Sequence, residues 1–78
     1  MIKYITELDI YVDKTSNMDK VKHKLDEFDN NVYVSKHTST FDNIEYIHMS
    51  VFIQNDKLSA LYEWFENEQD INVIIIGS

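Results

Sequence analysis

His37 and His48, together with Glu7 and Asp9, are the residues of this 78-residue chain whose types could do chemistry. Two imidazoles and a carboxylate match the ligand types of a metal facial triad. The same groups would also serve as an acid–base pair or as a pH-sensitive patch. No spacing along the sequence joins them, so they depend on strands to bring them together. Other signatures are missing. There is no Gly-rich phosphate loop, no Gly-x-Ser-x-Gly elbow, no cysteine and no histidine pair at zinc-ligand spacing. Thr38, Ser39 and Thr40 have no convincing base nearby in the chain. We therefore assign no catalytic residue, no metal and no cofactor, and read His37 and His48 as contact residues.

The elements that would position them follow from periodicity. Residues 2–12 alternate, with Ile2, Tyr4, Leu8, Ile10 and Val12 on one face and Thr6 interrupting. Lys3, Ile5, Glu7, Asp9 and Tyr11 fall on the other. Residues 14–29 take helical period, opening on a capping box at Ser16-Asn17-Met18-Asp19. Met18, Val21, Leu25 and Phe28 form its apolar stripe. Asp26, Glu27 and Asp29 oppose the favoured sign of its dipole, which either costs a few tenths of a kcal/mol or marks an acidic spot with another use.

Strands are expected over 32–40 and 44–54, joined by a two-residue turn at Asp42-Asn43, both types that tolerate left-handed backbone. That turn pairs Val34 with Val51 and Val32 with Ile53 on one face. On the other it pairs Tyr33 with Phe52, Ser35 with Ser50, His37 with His48, and Ser39 with Tyr46. Each face comes out like with like, whereas a one-residue slip would mix them. Asn55 or Asp56 caps a second helix over 56–68, with Leu58, Leu61, Tyr62 and Phe65 as its buried stripe and Trp64 at the margin. A last strand covers 73–76.

This order, β-α-β-β-α-β, resembles the ferredoxin-like fold over nearly the whole chain. The resemblance implies an α+β sandwich with a four-stranded antiparallel sheet in the order 4-1-3-2 and two helices on one face. It carries no function, because that architecture hosts many. The chain is read as one domain, residues 1–78. A domain this small has a stability on the order of 4–12 kcal/mol. It lacks the cysteines that would add a disulfide, so oligomerisation is its remaining common supplement.

With both helices on one side, the other sheet face is bare. It would carry Tyr11, Tyr33, Tyr46 and Phe52 beside the histidines. The last strand is apolar on both faces and has no charge or proline to protect it as an edge. Something is expected to cover this surface, and a second copy of the chain is the cheapest candidate, sheet against sheet or edge against edge.

Charge narrows the choice of partner. The chain carries a net −7, with −1 in residues 1–39 and −6 in residues 40–78, and it contains no arginine. Acidic surfaces repel the phosphate backbone, so direct nucleic-acid binding is not expected. The aromatic sheet face is similar to the stacking platform of RNA-recognition domains, but the positive groove such platforms use is absent. No leader segment or membrane span is read, and the expected location is cytoplasmic. Scarcity of Ala, Gly, Arg and Pro points to an AT-rich genome: a low-GC bacterium, its phage or a plasmid.

The leading expectation is thus a small acidic non-enzymatic protein-binding module. Its contacts are Tyr11, Tyr33, His37, Tyr46, His48 and Phe52 on the sheet and Glu63, Trp64, Glu66 and Glu68 on the second helix. A phage- or mobile-element-encoded inhibitor, immunity protein or antitoxin fits, acting on a basic or nucleic-acid-binding protein. One alternative is a small-ligand-binding regulatory domain at a dimer interface. Ferredoxin-like modules of the amino-acid-sensing type favour a glycine after strand 1, and residues 13–17 have none. The other alternative is a dimeric enzyme or metal site around His37 and His48. In topology alone it is similar to dimeric α/β-barrel monooxygenase-like proteins.

Overall fold

The computed structural model describes residues 4–77. The expected roles of Ile2 and Lys3 lie outside the described residues. Strand β1, Ile5–Asp13, alternates as its sequence requires. Leu8, Ile10 and Val12 are buried on one face, while Glu7, Asp9, Tyr11 and Asp13 point the other way, half-buried.

Helix α1, Met18–Asp26, begins one residue later than a capping box at Ser16 would place it. Asn17 is the N-cap, its side-chain carbonyl accepting from the Lys20 N–H at 3.1 Å. Ser16 is used elsewhere: its hydroxyl oxygen accepts from the Asn72 N–H at 3.0 Å, tying the loop before α1 to the start of the last strand. Val21 and Leu25 are buried, with Met18 and Phe28 packed beside them. The helix stops at Asp26, three residues short of the expected end. Lys22 pairs with Asp26 and Lys24 with Glu27, which offsets the acids at its C-terminus. Asp29 has left the helix. Its carboxylate accepts from the Asn31 N–H at 2.9 Å and from the Phe52 N–H at 3.0 Å.

Strands β2 (Tyr33–Phe41) and β3 (Ile44–Gln54) form a hairpin. Asp42 and Asn43 have φ of 51° and 65°, the left-handed backbone expected of the turn. From that turn the expected register holds at Phe41–Ile44, Thr40–Glu45, Ser39–Tyr46 and Thr38–Ile47. It then breaks. Val34 lies opposite Met49 and Tyr33 opposite Ser50, so Ser35, Lys36 and His37 together face His48 in a bulge. The expected pairs Tyr33–Phe52, Val34–Val51 and His37–His48 are therefore not formed. Because β2 gains two residues, its side chains keep their faces while their neighbours change. The backbone N–H of Phe52, left beyond the reach of β2, is the one that Asp29 satisfies.

A 3₁₀ turn at Asn55–Lys57 leads into α2, Leu58–Asn67. Neither Asn55 nor Asp56 caps it, because the Asn55 side chain accepts from the Thr6 hydroxyl. Leu61 and Phe65 are buried as expected, but Tyr62 is 38% exposed and lies off the core. The final strand, β4 (Val73–Gly77), completes a sheet ordered β2-β3-β1-β4 with every neighbour antiparallel. This order is 4-1-3-2 read from the other edge, and with two helices it matches the ferredoxin-like arrangement. The core joins Leu8, Ile10 and Val12 of β1 and Met49, Val51 and Ile53 of β3 to Val21, Leu25, Leu61 and Phe65 of the helices.

Candidate functional site

The helices cover one sheet face, and the other carries a row of rings. Tyr33 meets the His48 imidazole edge-on at 6.3 Å. Tyr11 stacks on that imidazole at 4.8 Å, Phe41 meets Tyr11 edge-on at 5.4 Å, and Tyr46 lies 5.6 Å from Phe41. The row runs across β2, β3 and β1 because Tyr11 and His48 are direct cross-strand partners. Such ring pairs each add about 0.5–1.5 kcal/mol beyond burial.

Around this row the face is open and mixes apolar side chains with the half-buried carboxylates of Glu7 and Asp9. Ile5, Tyr33, Phe41, Ile44, Phe52, Ile74 and Ile76 are all exposed, and each shares strand parity with the ring row. Tyr46 does not join them. It is only 5% exposed, its ring covered by neighbours that include Phe41, so it braces the face from within.

The histidines do not form a pair. The His48 Nε2 stands 2.8 Å from Asp9 Oδ1, while its ring is stacked on Tyr11. His37 is exposed in the bulge, its backbone N–H donating to the Ser35 hydroxyl at 3.2 Å. The bulge sets Ser35, Lys36 and His37 together opposite His48, so the one-to-one His37–His48 pairing behind the enzyme or metal alternative is not formed. Among the described residues no three His, Asp or Glu side chains group as a metal site.

The expected contacts on α2 belong to a different surface. Glu63 and Glu66 are exposed on the helix side, away from the ring row. Trp64 packs edge-on against Phe65 at 5.0 Å, with the Lys24 ammonium 5.7 Å from its ring. Glu68 is committed to Lys20, whose ammonium also lies 3.5 Å from Asp70. Glu68, followed by Asp70, raises the Lys20 ammonium above its ordinary value, against a smaller opposing effect of desolvation. On the loop after β1, the Asp13 carboxylate is held below its ordinary value by the Thr15 N–H and hydroxyl.

Sequence reasoning missed Phe41 and Ile44, which flank the turn and carry the parity of Tyr33 and Tyr46. Both were readable from that parity, but Phe41 fell just beyond the expected strand end. Asp29 gave a weaker signal, an acid at an unfavourable helix end.

Among the described residues no helix is long and apolar enough to cross a membrane. Comparison with family models, curated proteins and solved structures finds no significant match.

Proposed function

We propose that this protein is a non-enzymatic protein-binding module, a ferredoxin-like sandwich whose uncovered sheet face is the contact surface and whose partner is a basic protein. The observation that carries the reading is the set of seven exposed apolar side chains on one sheet face. Isolated exposed hydrophobics are ordinary, but seven on one face of a sheet are a recognition feature. Four strands of this length span on the order of 600 Å². That approaches the roughly 800 Å² each partner contributes to a standard interface. The Tyr, Phe and His rings on it are pre-ordered by one another, which lowers the entropy lost on binding.

Charge supports a basic partner. The net −7 repels a second acidic molecule and speeds encounter with a cationic one. The composition fits an AT-rich source. With small size and acidity, that favours an inhibitor, immunity protein or antitoxin from a phage or mobile element, acting in the cytoplasm on a basic or nucleic-acid-binding protein.

Affinity capture with the full chain as bait, followed by mass spectrometry, tests the reading. The expected product is a basic protein whose affinity falls as salt rises. Affinity indifferent to salt would remove the electrostatic part of the proposal. A second copy of the chain is the other occupant the face fits. Light scattering across a concentration series separates the two, since a concentration-independent monomer leaves the face free for a different partner.

A further inference from the structure

The two edges of the sheet are built differently. Edge β2 is protected: three of its residues crowd opposite His48, Lys36 sits in that bulge, and no β2 side chain is buried. Edge β4 has no such device. Its sequence is Val-Ile-Ile-Ile-Gly, and it pairs in regular register with β1 over its whole length.

The direction of its free backbone groups follows from the ladder. The Asp13 N–H donates to the Asn72 carbonyl at 2.8 Å, while on the other side of β1 the Lys14 N–H donates to the Glu45 carbonyl at 2.9 Å. Odd residues of β1 therefore bond toward β4. Tyr11–Ile74 and Asp9–Ile76 become the hydrogen-bonded pairs. Val73, Ile75 and Gly77 must then turn their N–H and C=O away from the sheet.

Beside that edge, on the helix side, lies an open groove of about 330 Å³ lined by Tyr62, Phe65, Glu66, Ile71, Val73 and Ile75. Its floor is apolar. Its charged member, Glu66, makes no ion pair with any described residue, and α2 contains no lysine. The exposure of Tyr62, unexplained by the core, is accounted for as one wall of this groove.

We infer that β4 is the docking edge for an extended segment of a basic partner protein, which adds as a further strand beside β4, sets an apolar side chain into the groove and reaches Glu66 with a lysine or arginine two positions along. Main-chain bonds to Val73, Ile75 and Gly77 supply affinity, and the groove supplies side-chain selection. Charge chooses this occupant over a second copy. Symmetric β4–β4 pairing would bring two acidic α2 helices together across the junction with no lysine on either to offset them. The inference rests on the reading of the protein as a binding module, and it adds where and how a partner strand attaches.

The test uses the full ¹⁵N-labelled chain and the blocked peptide Lys-Thr-Val-Thr-Lys-Thr-Val, which places lysine and valine on one side of an extended strand. The expected result is slowed amide exchange at Val73, Ile75 and Gly77, with shifts at Tyr62 and Glu66. Glutamate in place of lysine in the peptide, or Glu66→Lys in the protein, should weaken binding by about two- to fivefold, the range of an exposed ion pair. Glu66 is solvent-exposed, so its variant tests charge without disturbing the core. Three results overturn the inference. The peptide could leave those three amides unchanged. It could perturb only Tyr33 and Phe52 on the sheet face. Or the peptide-free protein could be a dimer with the three amides already protected, which would assign the edge to a second copy. The binding-module reading fails separately, if no partner is captured by the full chain.

Discussion

Asp9 Oδ1 and His48 Nε2 stand 2.8 Å apart across the β1–β3 pair, so the histidine expected to face His37 is engaged by the central strand instead. Tyr11, the direct partner of His48, stacks on the same imidazole. His48 is thereby fixed as part of a surface. Both side chains are about a quarter exposed, and hydrogen bonds in that setting contribute about 0.5–1.5 kcal/mol net. A double-mutant cycle of Asp9→Ala and His48→Ala, read by urea unfolding at neutral pH, is expected to give a coupling in that range. Coupling below about 0.2 kcal/mol, at the low end for exposed pairs, would mean that the contact organises nothing.

The hairpin turn makes its own prediction. Asp42 and Asn43 both occupy left-handed backbone, which costs a residue with a Cβ on the order of 1 kcal/mol. Asn43→Gly relieves that cost and is expected to raise stability by up to about 1 kcal/mol, less the added freedom of the unfolded chain. Asn43→Val, β-branched at positive φ, should lose about 1–2 kcal/mol or more. Denaturation midpoints of the two variants check the sign, and equal midpoints would deny the turn its geometry.

Strand parity, turn type and helix stripes carried most of this architecture in the sequence. The alternation of Leu8, Ile10 and Val12 placed β1, and the Asp42-Asn43 pair placed the hairpin. The bulge was invisible for a physical reason. Inserting two residues preserves parity, so Tyr33 and Val34 keep their faces whether they sit opposite Phe52 and Val51 or Ser50 and Met49. A pattern of hydrophobicity reports faces, not neighbours. Tyr62 misled in the opposite way, because helical spacing placed it on a stripe whose neighbouring sheet ends at β4. Asp29 and Ser16 act through backbone groups of Phe52 and Asn72, far along the chain, and no local pattern encodes such partners.

Burial separates residues that hold the fold from residues that wait on its surface. Leu61 is fully buried between sheet and helix, and Leu61→Ala is expected to cost about 2–5 kcal/mol. Against a total on the order of 4–12 kcal/mol this approaches unfolding. Phe52→Thr and Ile76→Thr, at exposed positions and with strand propensity kept, should stay within about 0.5 kcal/mol of the parent. Thermal unfolding of the three variants provides the comparison. A large loss from Phe52→Thr would show that the sheet face serves stability rather than contact.

Stability should depend on pH at both ends of the range. Asp13 is held below the ordinary carboxylate value of 3.8 by the Thr15 N–H and hydroxyl, so the unfolded chain binds its proton first as acid is added. Its contribution is complete above that value and disappears as pH falls through the lower folded value. Lys20 is held above 10.5 by Glu68, so its contribution is complete below 10.5 and disappears as pH rises through the higher folded value. Asp13→Asn is expected to flatten the acid limb of a stability profile, and Lys20→Met the alkaline limb. Parent-like slopes in these variants would detach the two contacts from folding.

The most direct test of the uncovered sheet face compares two baits, the parent chain and the Tyr33→Ser, Phe52→Ser double variant, each first confirmed to be folded. Both residues are exposed on the same face. Quantitative capture at low and high salt should recover a basic protein with the parent bait, lose at least about tenfold of it with the double variant, as expected when a central aromatic anchor is removed, and release it as salt rises. Equal recovery of the partner by both baits at every salt concentration would contradict the assignment of this face as the contact surface.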